Sequence, residues 1–316
     1  MAMHDNDSVS VVIVDWRSNK LLKNCLNSVF LQTYRNFEII LVENEPLDSF
    51  LREILSSFPQ LRIIANKKNF FYSFAQNQGI KEAKGEFVLS LNNDIILDRN
   101  FLKEVLNTIK MDRKIGIVSG KILSYKGEFI DSTGQFLSRM RKPLERGHRE
   151  KDIGQFDTPG FVFGACGACA FYRKEMLEAI RIEDGEYFDN NYGLFYEDLD
   201  LNWRAQLAGW KAYYNPKAIG YHLRGSSAKV NQPKFRIFKR FEFCYLLPEH
   251  KLMLLKNRYA TIIKNETTQG FLRNFFFIFI YDLSIWAYLL LFEPSIILRF
   301  RKEVKYLLSV FRKERR

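Results

Sequence analysis

Short β-branched runs and stretches of helically spaced apolar residues alternate along residues 9–119. A β-branched run of about four to eight residues is typical of a buried strand, and apolar residues three or four positions apart indicate a helix. The predicted strands are 9–14, 37–42, 61–65, 86–91 and 115–119, and the predicted helices are 18–31, 47–58, 73–84 and 98–111. Because helices separate the strands, the pattern predicts βαβ units and an α/β fold with a mostly parallel central sheet.

Three of the predicted strands end in polar residues. Asp15 and Trp16 follow the first strand, and Glu43 and Asn44 follow the second. An Asn-Asn-Asp sequence, residues 92–94, follows the fourth strand. Ligands of open α/β sheets bind beyond the carboxyl ends of parallel strands. We therefore expect these three polar segments to converge on one crevice.

The alternation stops at residues 125–160, which are rich in glycine and charge. A segment of this length without a clear period predicts a long mobile loop, since function is the usual reason for such length. Helical spacing returns at residues 197–208, and two short strands are predicted at 211–214 and 218–222.

An apolar segment of 24 residues occupies positions 275–298 and is long enough to span a bilayer. Asp282 and Glu293 lie 11 positions apart, about three helical turns, and would share one face of a helix. Basic residues flank both ends, whereas a membrane span carries them mainly on its cytoplasmic side. An interfacial or partly embedded helix therefore fits better than a span, and a helix packed within a soluble protein is a third interpretation.

The net charge of +12 arises from 48 Lys and Arg against 36 Asp and Glu. Half of this excess lies in residues 299–316, where eight basic and two acidic residues give a local charge of +6. A basic tail behind an apolar segment favours an anionic membrane surface as the partner. We expect no nucleic-acid partner. Four cysteines are too few for a disulfide framework and no signal peptide is visible. We therefore expect a cytoplasmic protein, peripheral or monotopic at the inner face of the cell membrane.

The Asn-Asn-Asp sequence is a candidate metal site. Mg²⁺ and Mn²⁺ prefer oxygen ligands and are often held by one or two carboxylates together with substrate phosphates. Asp94, at the end of a predicted strand, suits a metal that is shared with a diphosphate. Asn92, Asn93 and Asp94 are equally explained as the residues of a turn.

Three carboxylates, those of Glu197, Asp198 and Asp200, open the helix predicted at 197–208. One of them could act as a general base on a hydroxyl group if burial or a neighbouring charge raised its pKa. The alternative is purely structural, because the helix dipole favours acidic residues in the first turn.

Three further polar residues are candidates on weaker grounds. His222 ends a predicted strand and could bind a metal, and Arg224 follows it and could bind phosphate. Asn77 lies early on the helix predicted at 73–84, where its amide could bridge a diphosphate and a base. A single histidine is more often structural, and the phenylalanines near Asn77 indicate helix packing.

In this order and on these elements, the motifs resemble those of the family 2 glycosyltransferases with a GT-A fold, of the rhamnosyltransferase-like kind. The resemblance covers about residues 8–260 and is specific because the whole order matches. The matching sequences are VSVVIVDW (9–16), LQTYRNFEIILVEN (31–44), NQGIKEAKGEFVLSLNNDI (77–95), GACAFYRKEM (167–176), LFYEDLDLNWRAQLAGWK (194–211) and YHLRGSS (221–227).

The resemblance implies a role for each candidate residue. Asp94 would hold Mn²⁺ or Mg²⁺ on the donor diphosphate, with His222 as a further metal ligand. Asp198 would be the general base, with Glu197 beside it in the catalytic pair. The residues implied in binding the nucleotide sugar are Asp15, Trp16, Glu43, Asn44, Asn77, Asn92, Asn93 and Arg224.

The resemblance also implies a domain organisation and a reaction. Residues 8–233 would form the catalytic domain, with a nucleotide-binding half at 8–120 and an acceptor half at 121–233. Residues 234–316 would form a helical region that associates with the membrane. The protein would be an inverting, metal-dependent glycosyltransferase that moves a sugar from dTDP-rhamnose or a UDP-sugar to a lipid-linked glycan in cell-surface polysaccharide synthesis. A non-catalytic nucleotide-sugar- or glycan-binding protein of the same fold is the alternative.

Overall fold

The computed structural model describes residues 7–17, 19–47, 49–182, 185–224 and 242–314. The strands in these ranges are β1 Val9–Asp15, β2 Phe37–Glu43, β3 Arg62–Ala65, β4 Phe87–Asn92, β5 Ile95–Leu97, β6 Ile115–Ser124, β7 Ile130–Ser132, β8 Gln135–Leu137, β9 Pro143–Glu145, β10 Gly160–Val162, β11 Cys169–Arg173 and β12 Lys211–His222. The helices are α1 Asn19–Phe30, α2 Ser49–Ser56, α3 Phe71–Glu82, α4 Phe101–Ile109, α5 Lys174–Ala179, α6 Glu197–Leu207, α7 Pro248–Asn265, α8 Thr268–Phe292 and α9 Pro294–Glu314. The domain boundary predicted at residues 233–234 lies outside the described residues.

The central sheet of the described residues has the strand order β10-β12-β6-β11-β4-β1-β2-β3, with β5 beside β12 and β7 beside β6. Parallel pairing joins β1 to β2 and β4, and β2 to β3. Strand β11 is antiparallel to both of its neighbours, β4 and β6. Strands β6 and β12 also pair in parallel. The predicted α/β fold is confirmed, and antiparallel strands join the parallel part of the sheet. An antiparallel neighbour needs no crossover helix, and the described part of the segment between β6 and β11 contains none.

The elements predicted before residue 120 lie close to the observed ones, and each of the four helices agrees to within three residues at both ends. The two strands predicted at 211–214 and 218–222 form one strand, β12. Its register against β6 is irregular between Asn215 and Ile219, which explains why the pattern looked interrupted.

Residues 125–160 are not the mobile loop that their composition predicts. They contain β7, which pairs with β6, and the β8–β9 hairpin. The buried Lys121 side chain of β6 pairs with Asp152 and Asp157, each at 2.7 Å, and so fastens the segment to the sheet. Strands of three residues are too short to show a period, and their partners lie far away in the sequence.

Hydrophobic side chains pack against both faces of the sheet. Val11 and Ile13 of β1 lie in the core shared with α1, α2 and α4, whereas Val12 lies in the core shared with α3, α5 and α6. A side chain at Gly79 of α3 would place its Cβ 2.2 Å from Val12, so only glycine allows this close approach of helix and strand. This packing fixes the carboxyl ends of β1, β2 and β4.

The apolar segment predicted at 275–298 is broken into two helices. Helix α8 ends at Phe292, and α9 begins at Pro294. A proline disfavours the helical conformation of the residue before it, and Glu293 has φ −142° and ψ 54°. Among the described residues, α8 is the helix long and apolar enough to cross a membrane, and 17% of its most apolar window is buried.

Helix α8 packs antiparallel along α7. Asp282 pairs with Arg258 at 2.7 Å and Glu293 pairs with Lys251 at 2.5 Å, which confirms that the two acids share one face. Helix α9 then returns along α7, and Leu307 packs near the start of α6. Both ends of α8 are therefore connected to the α/β body.

Helix α7 is joined to α6 by a buried cluster of charges around Asp200. Its carboxylate accepts from Arg204 and Lys264, each at 2.9 Å, and from the Asn265 amide at 2.8 Å. Burial alone would raise the pKa of Asp200, but Lys264 and Arg204 hold this pKa well below its usual range. The carboxylate thus ties the C-terminal helices to α6, whose first turn contains Asp198.

We expect Asp200→Asn to lower the free energy of unfolding by about 3 kcal/mol, because it leaves Arg204 buried without a carboxylate and leaves Lys264 with Asp189 alone. Urea unfolding monitored by circular dichroism measures the change. The matched control is Glu178→Gln, which removes an exposed pair with Arg181 and should cost no more than about 1 kcal/mol. An equal effect of the two substitutions would contradict the role of the buried cluster.

Candidate active site

The three polar strand ends converge as the sequence predicts. Asp15 and Glu43 lie opposite each other at the ends of β1 and β2, and Val14 lies opposite Asn92 at the end of β4. Both carboxyl groups are buried. The side-chain amide of Asn93 donates a hydrogen bond of 2.5 Å to Asp15, so the Asn-Asn-Asp turn is fastened to the first strand.

Asp15 and Glu43 form a carboxyl pair. Burial first, and then the charge of Asp15, raises the pKa of Glu43 to about 9. Glu43 is therefore protonated at neutral pH, which avoids two negative charges side by side. The protonated carboxyl group can donate a hydrogen bond to Asp15 or to a ligand. A neutral donor beside an acceptor suits recognition of the polar edge of a nucleobase.

Two other residues of the predicted nucleotide site have different surroundings. The Asn44 side chain donates to the Phe71 carbonyl at 3.1 Å and accepts from Asn66 at 3.0 Å, so it supports the start of α3. Trp16 is 48% exposed, and the Arg17 guanidinium lies 5.4 Å from its ring centroid. Trp16 thus lies at the rim of the crevice, where its ring is accessible.

Asn77 does not have the role that the sequence predicts. Its amide nitrogen donates to the Phe188 carbonyl at 2.6 Å and to Asn190 at 2.9 Å. Its oxygen accepts from the backbone N–H groups of Tyr187 and Phe188, each at 3.0 Å. These four bonds use both amide hydrogens and both lone pairs, so Asn77 anchors residues 187–190 and has no donor left for a diphosphate.

Asp94 and His222 lie together at the end of β12. The His222 Nε2 atom is 3.2 Å from Asp94, and its Nδ1 atom is 2.7 Å from Asp131. The same Asp131 carboxylate accepts from Arg224 Nε at 2.7 Å. Burial lowers the pKa of His222, but hydrogen bonds to Asp131 and Asp94 outweigh this effect and raise it to about 9.

The donor set of Asp94 and His222 fits a divalent cation. A carboxylate oxygen and an imidazole nitrogen face each other, and Asp131 holds the other ring nitrogen, as carboxylates commonly do behind a metal-bound histidine. Mn²⁺ accepts both ligand types, and Mg²⁺ prefers the oxygen. The structure thus brings together the two residues predicted as metal ligands.

Asp131 is a site residue that the sequence analysis missed. It lies on β7, inside the segment predicted as a mobile loop, and its side chain is buried. Its backbone carbonyl also lies 2.9 Å from His148 Nδ1. No local pattern distinguishes it from the other acidic residues of this segment, so only the pairing of β7 with β6 reveals its position.

Asp198 is held at the start of α6 by hydrogen bonds to both oxygens. Its Oδ2 accepts from the Gly167 N–H at 3.0 Å and from the Gln135 amide at 2.9 Å, whereas its Oδ1 accepts from the Leu199 N–H at 2.7 Å. Burial raises the pKa of Asp198, and these hydrogen bonds oppose the shift. Oδ1 keeps an available lone pair, so it is the oxygen suited to accept a proton.

The backbone before Asp198 is strained. Phe195 and Tyr196 both have positive φ, 70° and 68°, which is rare for bulky side chains. Asn257 of α7 donates to the carbonyls of Leu194 and Phe195 at 2.7 and 2.8 Å and so holds this turn in place. Strain of this kind clusters at functional sites.

Two further carboxyl groups surround Asp198. Burial first, and then the charge of Asp198, raises the pKa of Glu145 to about 7 and the pKa of Glu197 well above its usual value. Gln135 bridges Glu145 and Asp198, because its amide donates to the former at 3.1 Å and to the latter at 2.9 Å. Glu145 and Gln135 lie on the β8–β9 hairpin and were not foreseen. Glu197, predicted as catalytic, is half-buried beside Asp198, and its role stays a prediction.

Residues 166–168 connect the end of β4 with Asp198. Gly167 donates to Asp198, and the Ala168 carbonyl accepts from the Asn92 N–H at 2.8 Å. The Tyr72 hydroxyl donates to the Gly167 carbonyl at 2.6 Å. Cys166 lies within 4.8 Å of Glu145 and Asp198, but burial raises its thiol pKa, so it stays protonated.

The model of glycosyl transferase family 2 matches residues 10–181, more than half of the chain, and the chain therefore belongs to this family. This match confirms the predicted family. The glycosyltransferase GlyG of Streptococcus pneumoniae serotype 4 is 25% identical over 194 residues, which are 58% of this chain and 63% of GlyG. The chain thus spans less than two thirds of that relative.

Two further comparisons match most of the chain. The N-acetylglucosaminyl-diphospho-decaprenol L-rhamnosyltransferase of Mycobacterium tuberculosis is 23% identical over 245 residues, 70% of this chain and 78% of that protein. The crystal structure of GalNAc-T7 with UDP, GalNAc and Mn²⁺ matches with a TM-score of 0.61 at 15% identity, over 81% of this chain and 48% of that chain. This likeness confirms the predicted GT-A fold.

We expect Asp131→Asn to weaken Mn²⁺ binding by roughly 10–100-fold, because the amide orients His222 less firmly than the carboxylate does. Titration calorimetry of the full chain with MnCl₂ measures the affinity. Asp112→Asn, which removes an exposed pair with Lys211, is the control and should leave the affinity unchanged. Unchanged Mn²⁺ affinity in Asp131→Asn would show that Asp131 does not support a metal site.

Proposed function

We propose that the protein is an inverting, metal-dependent glycosyltransferase that moves a sugar from a nucleotide sugar to a hydroxyl group of a lipid-linked glycan. The proposal is carried by one observation: residues suited to bind a metal and a carboxylate suited to act as a base lie in the same crevice. The Asp94 and His222 pair lies on one side, and the Asp198 carboxylate lies on the other. Residues 166–168 hydrogen bond to both sides, at Asn92 and at Asp198.

The residues of the metal side would bind the donor diphosphate. A divalent cation held by Asp94 and His222 would supply a Lewis acid that neutralises the leaving group. Arg224 carries a guanidinium beside this pair, and its side chain is 44% exposed, so it can reach a phosphate oxygen. The fixed charges stabilise the nucleoside diphosphate as it leaves.

The residues of the base side would activate the acceptor. Asp198 Oδ1 accepts the proton of the acceptor hydroxyl as that oxygen attacks the anomeric carbon opposite the leaving group. The bond to the diphosphate oxygen breaks, the new glycosidic bond forms, and the configuration inverts. A single carboxylate base suffices, so no covalent enzyme intermediate is required.

The donor pocket lies at the ends of β1 and β2. Protonated Glu43 offers a hydrogen-bond donor to the nucleobase and Asp15 offers an acceptor, and Asn93 lies between them and Asp94. We propose dTDP-rhamnose or a UDP-sugar as donor. The name of the mycobacterial relative, an L-rhamnosyltransferase that acts on a decaprenol diphosphate sugar, supports this choice and a lipid-linked acceptor in cell-surface polysaccharide synthesis.

Helix α8 would hold the enzyme at the inner face of the membrane. Its outward face exposes a series of large apolar side chains, and Phe276, Leu283 and Leu290 are each more than half exposed. Because α9 returns to the α/β body directly after α8, a spanning orientation would place α9 on the wrong side of the bilayer. An interfacial helix with the basic residues of α9 near anionic headgroups fits these contacts.

We expect Asp198→Asn to lower the turnover of the accepted donor by at least about 100-fold while nucleotide binding is retained, since only the base is lost. Release of nucleoside diphosphate is measured with dTDP-rhamnose, UDP-hexoses, UDP-N-acetylhexosamines and GDP-mannose, with lipid extract and Mn²⁺ or EDTA. Asp112→Asn is the control and should keep native turnover. Nucleotide binding without turnover of any donor by the native chain would favour the non-catalytic binding protein instead.

We expect the triple substitution Phe276→Glu, Ile280→Glu and Leu283→Glu to release the protein from vesicles that contain anionic phospholipid, because it places charge on the outward face of α8. Co-sedimentation with phosphatidylcholine–phosphatidylglycerol vesicles measures binding. The control carries three glutamates at exposed apolar residues of the α/β body, Leu31, Met111 and Ile153. Equal binding of both triple variants would contradict α8 as the membrane-binding element.

A further inference from the structure

The β8–β9 hairpin reaches from the catalytic base to the apolar helix. At its stem, Gln135 donates to Asp198. Its tip, residues 138–142, lies against α8, where the Arg139 Nε is 3.4 Å from Asn274 and the Arg139 guanidinium is 3.8 Å from the Phe277 ring centroid. A strand advances about 3.3 Å per residue, so roughly 10 Å separate Gln135 from the tip.

The tip is firmly held, since its other arginine is committed to the helices. Arg141 is buried and pairs with Glu266, and its carbonyl accepts from Arg258 at 2.8 Å. Arg258 in turn pairs with Asp282 at 2.7 Å. These contacts fix the tip without involving Arg139.

Two arginines at this junction have no counter-ion among the described residues. Arg139 is exposed at the tip, and Arg273 is exposed on α8, one turn before the Phe277 ring that Arg139 covers. Residues i and i+4 of a helix share one face, so Arg273 lies on the same face of α8 as the Phe277 ring that Arg139 contacts. Within the part of the chain that the structure describes, no carboxylate pairs with either of them, in contrast to Arg141 and Arg258.

Exposed apolar side chains of α8 lie on both sides of Arg273. Leu272 before it is 70% exposed, and Phe276, Phe279 and Ile280 further along the helix are 66%, 51% and 46% exposed. The proposed base Asp198, the two arginines and the apolar surface of α8 therefore follow one another along a single path. A sugar joined through a diphosphate to a lipid chain has its hydroxyls, phosphates and hydrocarbon in the same order.

We propose that Arg139 and Arg273 bind the phosphate groups of the lipid-linked acceptor, with its sugar towards Asp198 and its hydrocarbon chain on α8. The inference rests on the proposed function and adds to it the site that recognises the acceptor. Guanidinium groups bind phosphate oxygens through paired, charge-assisted hydrogen bonds, and two of them match the charge of a diphosphate. We name the lipid diphosphate as occupant, and not a phospholipid headgroup, because the pair lies at the end of the hairpin that leads to the base.

The test compares two probes that share a lipid chain. Farnesyl diphosphate and farnesol are titrated into the full chain in neutral detergent micelles, and binding is followed by calorimetry. We expect the native chain to bind farnesyl diphosphate at least about tenfold more tightly than farnesol, because the charge-assisted bonds are made only to phosphate. The double variant Arg139→Ala, Arg273→Ala should lose this difference and keep its affinity for farnesol.

The matched control is Arg301→Ala, Lys302→Ala, which removes the same charge from exposed positions of α9. It should retain the preference for farnesyl diphosphate. Loss of the preference in both double variants, or equal competition by phosphatidylglycerol, would assign the charge to phospholipid headgroups and overturn the proposal. An unchanged preference in Arg139→Ala, Arg273→Ala would overturn it as well.

The proposed function fails in a different way. In that case no donor in the nucleotide-sugar panel is turned over, whatever the affinity for farnesyl diphosphate. A native chain that turns over a donor but shows no preference for the diphosphate probe refutes the acceptor site alone.

Discussion

The hydrogen bonds of residues 166–168 are the constraint on which the site depends, because they hold Asp198 against the turn that contains Asp94. The Gly167 N–H binds Asp198, and the Ala168 carbonyl binds the Asn92 N–H. A side chain at position 167 would place its Cβ 3.2 Å from the Cβ of Asp198, closer than ordinary contact. Glycine thus lets the backbone reach the carboxylate. One rigid segment positions the groups that would act on nucleophile and leaving group, which is how preorganised sites lower a barrier.

The candidate site residues whose positions follow from the sequence are those that a local pattern marks. Asp94 and His222 end strands, and Asp198 opens a helix, so period and chain order place each of them. Asp131 and Gln135 lie on strands of three residues whose partners are distant, and such strands leave no period in the sequence. Gln135 comes close to Asp198, and Asp131 to His222, only when the sheet has folded.

Asn77 shows the opposite case. The sequence predicts that this polar residue binds a ligand, but its hydrogen-bond partners lie in the protein. Buried amides are normally satisfied by the backbone, and the partners here lie more than 100 positions away in sequence. The apolar pattern likewise predicts one continuous segment at residues 275–298, where the structure has the two helices α8 and α9. The break at Pro294 and the ion pairs of α8 with α7 explain why the apolar helix lies along the body of the molecule.

The stereochemistry of the transferred sugar tests the central claim most directly. With the accepted donor and an acceptor in hand, proton NMR of the product during the first turnovers gives the anomeric configuration before any equilibration. Direct attack assisted by Asp198 predicts a product of configuration opposite to that of the donor. A product of retained configuration would contradict the account. Retention would require a second displacement and an enzyme nucleophile, whereas the account gives Asp198 Oδ1 the role of a base.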